Sequence, residues 1–158
     1  MGKVVVIMGS RSDLEHCKRI SKTLDKFGIE HVLRVASAHK SPIKVLDIIK
    51  EYEKEEVIFI TVAGRSNALS GFVDANTTKP VIASPPYSDR FAGFDIFSSL
   101  RLPSGVSPMV VLEPESAALA GVKILSLSDK KLEEKIKREQ ENNRKDIERE
   151  DRNLKFYK

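Results

Sequence analysis

Short apolar runs alternate along the chain with longer segments in which apolar residues recur every three or four positions. The runs occupy residues 4–8, 30–36, 57–63, 80–84 and 109–112. Each has the length of a strand, and a run that is apolar almost throughout is typical of a strand buried on both faces. Strands that alternate with helical segments predict an α/β fold, in which a parallel central sheet is covered by helices on both faces.

The segment after the first run predicts a helix. Ser12 and Glu15 have the spacing of a capping box, which places Ser12 at the N-cap. Gly28 is expected to end the helix. The apolar positions between them are Leu14, Cys17, Ile20, Leu24 and Phe27. This spacing places Cys17 in the core, and His16 beside it is expected to face solvent.

Further helices are predicted along the chain. One begins at Ser41 and Pro42, because proline favours the first helical position. Its apolar face is predicted from Ile43, Leu46, Ile49 and Tyr52. A short helix is expected between the third and fourth strands. Residues 117–127 predict an apolar helix that packs on the body of the protein or on another subunit.

The last thirty residues differ in character from the rest. Residues 129–158 predict a charged, solvated helix with few core positions, whose last residues are expected to fray. The sequence is therefore divided into an α/β domain at residues 1–128 and a charged C-terminal helix at residues 129–158.

The composition argues against several classes of protein. The net charge is +4, with 11 Lys/Arg and 9 Asp/Glu in residues 129–158 and 16 and 14 before them. A nucleic-acid surface needs positive charge gathered on one face, so no nucleic-acid partner is expected. No apolar run approaches the roughly 20 residues that span a bilayer, so no membrane is expected either. A single cysteine, Cys17, and the absence of a secretory signal favour the cytoplasm.

Three loops follow the first three strands, at the edge where parallel sheets bind ligands. The first, residues 9–13, joins a glycine and two serines to a helix start, which suits an anion such as phosphate. The second, residues 36–42, places His39 beside Lys40, and imidazole is well matched to proton transfer near neutral pH. The third, residues 63–71, has a glycine at each end of a run of polar side chains. Each loop alone also fits a plain strand-to-helix connection, with His39 as a structural residue and Ser66 or Asn67 as a cap.

Four segments of the sequence, "VVIMGSRSD", "RVASAHKSP", "VAGRSNALSG" and "SSLRLPSG", closely resemble the PurE family of purine biosynthesis. This family contains phosphoribosylaminoimidazole carboxylase and its mutase relatives, and the likeness runs from residue 4 to at least residue 127. The resemblance implies a flavodoxin-like, three-layer α/β/α sandwich with a C-terminal helical extension. It also implies a homo-oligomer, an octamer, with sites at subunit contacts.

The resemblance separates two branches of the family. One is a mutase that moves a carboxyl group within N5-carboxyaminoimidazole ribonucleotide. Its members carry arginine after the histidine of the second loop and a further histidine in the third loop. This chain has Lys40 and no histidine in its third loop, which resembles the branch that carboxylates 5-aminoimidazole ribonucleotide with carbon dioxide. The mutase is the alternative.

The resemblance also implies which residues bind the nucleotide. Ser10 and Asp13 are expected to contact it, with Ser12 and Ser37 close by. Asp13 is placed to hold polar groups of the ribose or the amine. Arg65 is a plausible phosphate partner, because the forked donors of a guanidinium suit that anion.

The remaining site residues concern the reaction itself. His39 is expected to take the ring proton after the new carbon–carbon bond has formed, and Lys40 to bind the nucleotide or the forming carboxylate. Ser66, with backbone amides near Gly64 and Gly71, would line a pocket for carbon dioxide. No cofactor is expected, because the electron-rich ring needs neither ATP nor biotin. No metal is expected, since the three histidines and one cysteine fall on separate elements.

Two other classes remain open from the residues alone. A flavodoxin-like sheet can serve as a nucleotide- or flavin-binding module without catalysis, because fold does not fix function. Such a module would have no need of His39, and nucleotide binding without turnover would support it. A structural oligomer that uses the charged C-terminal helix would explain that helix but none of the three loops. The loop at residues 87–94 follows the fourth strand and is well placed to close over a site.

Overall fold

A computed structural model describes residues 2–155 of the chain, and within them five parallel strands form one sheet. The strands are β1 (Lys3–Met8), β2 (His31–Val35), β3 (Val57–Val62), β4 (Val81–Ala83) and β5 (Met109–Val110). Their order across the sheet is β2-β1-β3-β4-β5. The predicted α/β fold with a parallel central sheet is therefore confirmed.

Helices connect the strands and continue the chain after β5. They are α1 (Leu14–Phe27), α2 (Pro42–Tyr52), α3 (Ala68–Asp74), α4 (Phe97–Leu100), α5 (Pro114–Ser126) and α6 (Lys130–Leu154). From β1 the chain crosses to one side to reach β2, and it then returns past β1 to reach β3. Because such crossovers are right-handed, the reversal places α1 and α2 on opposite faces of the sheet. It also creates the gap at the carboxyl ends of β1 and β3 where ligands bind in sheets of this kind.

The core lies on both faces of the sheet. On one face, Val5, Ile7 and Phe59 form a buried cluster with α2 and α3. On the other, Gly121 of α5 faces the strands, since a Cβ added there would lie 3.9 Å from the side chains of Val4 and Ile60, an ordinary packing distance.

Helix α1 confirms the predicted buried stripe but not the predicted start. Cys17, Ile20 and Leu24 are fully buried, and Gly28 ends the helix in the left-handed conformation with φ 73°. The capping box at Ser12 is wrong. A 3₁₀ turn at Arg11–Asp13 precedes α1, and the hydroxyl of Ser10 caps that turn by accepting the Ser12 N–H. The preceding turn moves the cap two residues towards the N-terminus of the chain.

Helix α2 begins at Pro42 as predicted, but its buried face differs from the one predicted. Ile43 is 67% exposed, and the buried residues are Val45, Ile48, Ile49 and Tyr52. Residues spaced three apart, as in the predicted face, move steadily around a helix that has 3.6 residues per turn. The observed buried residues are spaced three, one and three apart, and this spacing keeps them on one face.

The described residues form two compact units, divided between Val122 and Lys123. In the second unit, Asp129 caps α6 by accepting the N–H groups of Lys131 and Leu132 at 2.9 and 3.1 Å. The predicted charged helix is confirmed over Lys130–Leu154, and the residues expected to fray at 156–158 lie outside the described part of the chain. The division at residue 128 remains a prediction. Within residues 2–155, no helix is both long enough and apolar enough to cross a membrane.

Candidate active site

A cavity of about 580 Å³ opens at the carboxyl ends of β1, β2 and β3, where the three predicted loops converge. Nine of the residues proposed from the sequence line it. They are Ser10, Ser12, Asp13, Ser37, His39, Lys40, Gly64, Arg65 and Ser66. The loops therefore contribute to one cavity, and the roles assigned to their residues stay predictions.

Gly71 is the exception among the proposed site residues. It lies in α3 and outside the lining of the cavity. A Cβ on this residue would come within 2.9 Å of the Leu102 side chain, so glycine allows close packing between α3 and the segment around Leu102. Packing accounts for Gly71 in the structure, and its role beside a carbon dioxide pocket stays a prediction.

The first loop forms a tight, self-bonded turn. The Ser10 hydroxyl accepts hydrogen bonds from the Ser12 N–H at 3.2 Å and from the Ser12 hydroxyl at 3.0 Å, and the Ser10 carbonyl accepts the Asp13 N–H at 3.1 Å. Burial raises the pKa of the half-buried Asp13 carboxyl above its ordinary value, although Ser10 and the positive charge of Arg65 act in the opposite direction. The turn thus presents a carboxyl group to the cavity beside a cation.

The second loop presents its two chemical groups at the mouth of the cavity. The Ser37 N–H donates to the Ser41 hydroxyl at 3.0 Å, and the Lys40 N–H donates to the Ser37 hydroxyl at 3.3 Å. These bonds fix the backbone of the turn before α2. The side chains of His39 and Lys40 remain exposed, so a ligand in the cavity can reach both.

The third loop is held by the segment that precedes and includes α4. Asp95 accepts the Arg65 N–H at 2.8 Å, and the Ser98 hydroxyl donates to the Arg65 carbonyl at 2.8 Å. Asn67 is 3% exposed and donates its side-chain amide to the Ser99 hydroxyl at 2.9 Å. Two residues of the loop, Arg65 and Asn67, are therefore bonded to one short stretch of chain.

Asn67 also begins α3, because its side-chain oxygen accepts the N–H of Ser70 at 3.3 Å. Of the two caps considered from the sequence, Ser66 and Asn67, the structure has Asn67.

Four residues from the segment after β4 also line the cavity, and none of them was assigned to the site from the sequence. Pro86, Tyr87, Ser88 and Asp95 follow β4 and line the side of the cavity opposite the second loop's strand. They lie at least 15 residues beyond the end of the third loop along the chain, so sequence spacing gives no sign of contact. The sequence does contain one indication of this contact. The fourth strand was predicted to be parallel to the third, so the residues after β4 are expected at the same edge of the sheet as the three loops. Tyr87 falls within the loop that was expected to be able to close over a site.

The prediction that His16 faces solvent is wrong. Its Nε2 lies 2.9 Å from the hydroxyl of Ser84, at the end of β4, and that hydroxyl donates to the carbonyl of Leu112 at 3.2 Å. Since the serine proton is used on the carbonyl, Nε2 of His16 donates. Burial lowers the pKa of His16, and the positive charge of Arg19 lowers it further. The side chain borders a second cavity of about 350 Å³ that shares Tyr87 with the first.

No group of three or more His, Cys, Asp or Glu side chains in residues 2–155 is arranged to hold a metal ion.

The family model for AIR carboxylase matches residues 3–146. The chain belongs to the AIR carboxylase family. The resemblance seen in the four sequence segments is thereby confirmed, and with it membership of a family of purine-biosynthesis enzymes.

Similar proteins cover nearly the whole chain. The phosphoribosylaminoimidazole carboxylase of Archaeoglobus fulgidus is 65% identical over 152 residues, which are 96% of this chain and 84% of that protein. The enzyme of the same name from Treponema denticola is 49% identical over 154 residues, 96% of this chain and 97% of that protein. The crystal structure of Treponema denticola PurE has a TM-score of 0.95 at 48% identity, covering 98% of this chain and 99% of the other. The flavodoxin-like fold expected for the family agrees with this match.

Proposed function

We propose that this chain carboxylates 5-aminoimidazole ribonucleotide with carbon dioxide to give 4-carboxy-5-aminoimidazole ribonucleotide, without ATP, biotin or a metal ion. One observation carries the proposal: a histidine and a lysine on one loop share a single cavity with the serines, carboxyl group and arginine of two others. The names of the Archaeoglobus and Treponema relatives support the substrate.

The nucleotide is held by the first and third loops. The guanidinium of Arg65 suits the phosphate, because its forked N–H groups offer donors to an anion. The Asp13 carboxyl accepts hydrogen bonds from the ribose hydroxyls or the exocyclic amine. The rest of the cavity supplies a position for the ring next to the second loop, and holding the reactants together lowers the entropic barrier of a two-molecule reaction.

The reaction then follows from the electronics of the ring. The exocyclic amine pushes electron density onto the ring carbon, which attacks the carbon of carbon dioxide as one C=O π bond opens to a carboxylate. Lys40 stabilises the negative charge that appears there. His39 then takes the proton from the same ring carbon, and the electrons of the broken C–H bond restore the aromatic ring. The carboxyl group gained equals the carbon dioxide consumed, and the proton leaves on imidazole.

The branch of the family rests on the second and third loops. Lys40 follows the histidine, and the third loop, from Gly64 to Gly71, contains no histidine. Members of the mutase branch carry a further histidine in this loop, so its absence here favours the carboxylase. Ser66 occupies part of that loop here, and we assign it to the carbon dioxide pocket.

The test measures carboxylation of 5-aminoimidazole ribonucleotide at high bicarbonate without ATP, in parallel with conversion of the N5-carboxy compound. Formation of product from bicarbonate, with no use of the N5-carboxy compound beyond its breakdown in a reaction without enzyme, supports the proposal. Efficient conversion of the N5-carboxy compound instead makes the protein a mutase. Nucleotide binding with neither reaction makes it a binding module.

We also propose that the protein acts as a homo-octamer. Tyr87, Phe94, Phe97 and Leu100 are between 55% and 75% exposed, and Phe94 and Phe97 stack with their ring centroids 6.4 Å apart. Exposed apolar residues this close together favour contact with a second copy of the chain. Sedimentation of the wild type is expected to give eight times the mass of one chain, and Phe97→Ser is expected to give smaller species. A wild type that sediments as a monomer contradicts the proposal.

A further inference from the structure

Arg65 adopts a backbone conformation that its side chain disfavours. Its φ is 60°, in the left-handed region, where a Cβ comes too close to the following carbonyl oxygen. Gly64 immediately before it could adopt this conformation without that penalty, yet the positive φ falls on the arginine. Such a conformation persists only where the surrounding structure holds it, and it is found most often at functional sites.

Two contacts hold this conformation, and both come from the same short segment. Asp95 accepts the N–H of Arg65 at 2.8 Å, and the Ser98 hydroxyl donates to its carbonyl at 2.8 Å. The carboxylate reaches the loop directly over Gly64, since its Oδ2 lies 3.5 Å from the position that a Cβ of Gly64 would take. Both backbone polar groups of Arg65 are thus fixed by residues about 30 positions later in the chain.

The side chain of Arg65 is directed to the nucleotide cavity. It lines the cavity, and its positive charge acts on the carboxyl group of Asp13 across it. A change of φ from the left-handed to the extended region would rotate the Cα–Cβ bond and turn the guanidinium away. The orientation of this cation therefore depends on the backbone hydrogen bond to Asp95, which also lines the cavity.

We propose that Asp95 is a positioning residue for the nucleotide site, and that it acts by holding Arg65 in the left-handed conformation that directs the guanidinium to the phosphate. This inference rests on the proposed function for the identity of the substrate. Asp95 acts through Arg65 and not by contact with the ring, so its loss weakens binding of the nucleotide and leaves the proton transfer to His39 in place.

The first test compares three variants in steady-state kinetics. Asp95→Ala is expected to raise the KM for 5-aminoimidazole ribonucleotide about tenfold, in line with the loss of one hydrogen bond to a charged group, and to change kcat less than about threefold. Asp95→Asn keeps an oxygen that can accept the Arg65 N–H and is expected to keep the KM within about threefold of the wild type. Asp89→Ala removes an exposed carboxylate from the same segment and is the control, with unchanged kinetics.

The second test asks whether Asp95 acts through Arg65. In an Arg65→Ala background, Asp95→Ala is expected to raise the KM no further, because the guanidinium that it positions is gone. Effects that multiply would mean that Asp95 meets the nucleotide independently, and this would overturn the inference. An unchanged KM in Asp95→Ala would overturn it as well. Ser98→Ala, which removes the other contact to Arg65, is expected to raise the KM several-fold, and it provides the comparison if Asp95→Ala fails to fold.

A measurement without substrate separates this inference from the proposed function. Hydrogen exchange at the Arg65 amide is expected to be at least about tenfold faster in Asp95→Ala than in the wild type and in Asp89→Ala. If exchange is faster in Asp95→Ala but the wild type lacks carboxylase activity, the contact between Asp95 and Arg65 is supported and the proposed function is wrong. If exchange is unchanged in Asp95→Ala and the wild type is an active carboxylase, the proposed function is supported and the positioning role of Asp95 is wrong.

Discussion

Ser37 and Ser41 bond to each other in both directions across the turn that carries His39. The Ser37 N–H donates to the Ser41 hydroxyl at 3.0 Å, and the Ser41 N–H donates to the Ser37 carbonyl at 2.8 Å. The Ser41 hydroxyl also donates to that carbonyl at 3.3 Å. The backbone at His39 is therefore fixed from both sides although its imidazole is exposed to the cavity.

Ser41→Ala is expected to lower the free energy of unfolding by about 1 kcal/mol, because the Ser37 N–H loses its partner. It is also expected to lower kcat several-fold, since the turn that positions His39 loosens. Urea denaturation and steady-state kinetics measure the two effects. Ser104→Ala, at an exposed position in another turn, is the control and should change neither. A wild-type kcat in Ser41→Ala would show that this bond does not position His39.

His39→Asn is expected to bind 5-aminoimidazole ribonucleotide with near wild-type affinity and to lose roughly 10²–10⁴-fold in kcat, the usual contribution of a general base. Asparagine has a similar reach but cannot accept the ring proton at neutral pH. Calorimetric titration measures the affinity, and single-turnover kinetics measure the chemical step. Turnover at the wild-type rate would remove His39 from the proposed role.

Asp13→Asn is expected to be more stable than the wild type at pH 7. Burial raises the pKa of Asp13 in the folded protein above the ordinary value of 3.8, so the unfolded chain binds fewer protons at intermediate pH and ionisation at higher pH disfavours folding. The difference in the free energy of unfolding between Asp13→Asn and the wild type should be largest above the raised pKa of Asp13, and it should decrease as the pH falls through that pKa. It should vanish below about pH 3.8, where the carboxyl group is neutral in both the folded and the unfolded wild type.

Thermal unfolding at pH 7 and at pH 3.5 measures this difference, with Asp47→Asn as the control at an exposed position of α2. Activity of Asp13→Asn should fall, because the carboxylate that holds the nucleotide is lost. A difference in stability that is the same at both pH values would show that ionisation of Asp13 does not cause it.

Cys17 is expected to resist thiol reagents in the folded protein. It is fully buried, and burial together with the negative charge of Asp13 raises the pKa of its thiol to about 12, so almost no thiolate is present at pH 8. Reaction with a chromogenic disulfide should therefore be slow in buffer and fast in concentrated urea. Rapid labelling of the native enzyme would mean that α1 opens readily from the sheet.

The sequence predicts those parts of the fold that depend on local pattern. The buried strands β1, β3 and β4 and the left-handed Gly28 follow from apolar runs and from the freedom of glycine, and they agree with the structure. The prediction of burial on both faces is wrong for β2 and β5, which lie at the edges of the sheet and are partly exposed. Nine of the ten proposed site residues meet in one cavity because parallel strands bring their carboxyl ends to one edge. The strand topology is therefore sufficient to predict that these loops meet.

The predictions that fail depend on contacts between distant parts of the chain. His16 was expected in solvent, but the end of β4, 68 residues later, supplies Ser84 as its partner. Ile43 is an exception, because its failure is local: the phase of the helix buries Val45 and its neighbours and leaves Ile43 exposed. Asp95 lies 30 residues from Arg65, and no local pattern marks the bond between them.

The cavity at the carboxyl ends of β1, β2 and β3 depends on parts of the chain that are made at different times. Its first loop is complete by residue 13, but the residues that hold its third loop, Asp95 and Ser98, come some 80 residues later. During synthesis the cavity therefore assembles only after β4 and α4 have left the ribosome and docked on the sheet. A nascent chain that ends before α4 should not bind the nucleotide. The chain length at which nucleotide binding begins would therefore show when that helix has docked.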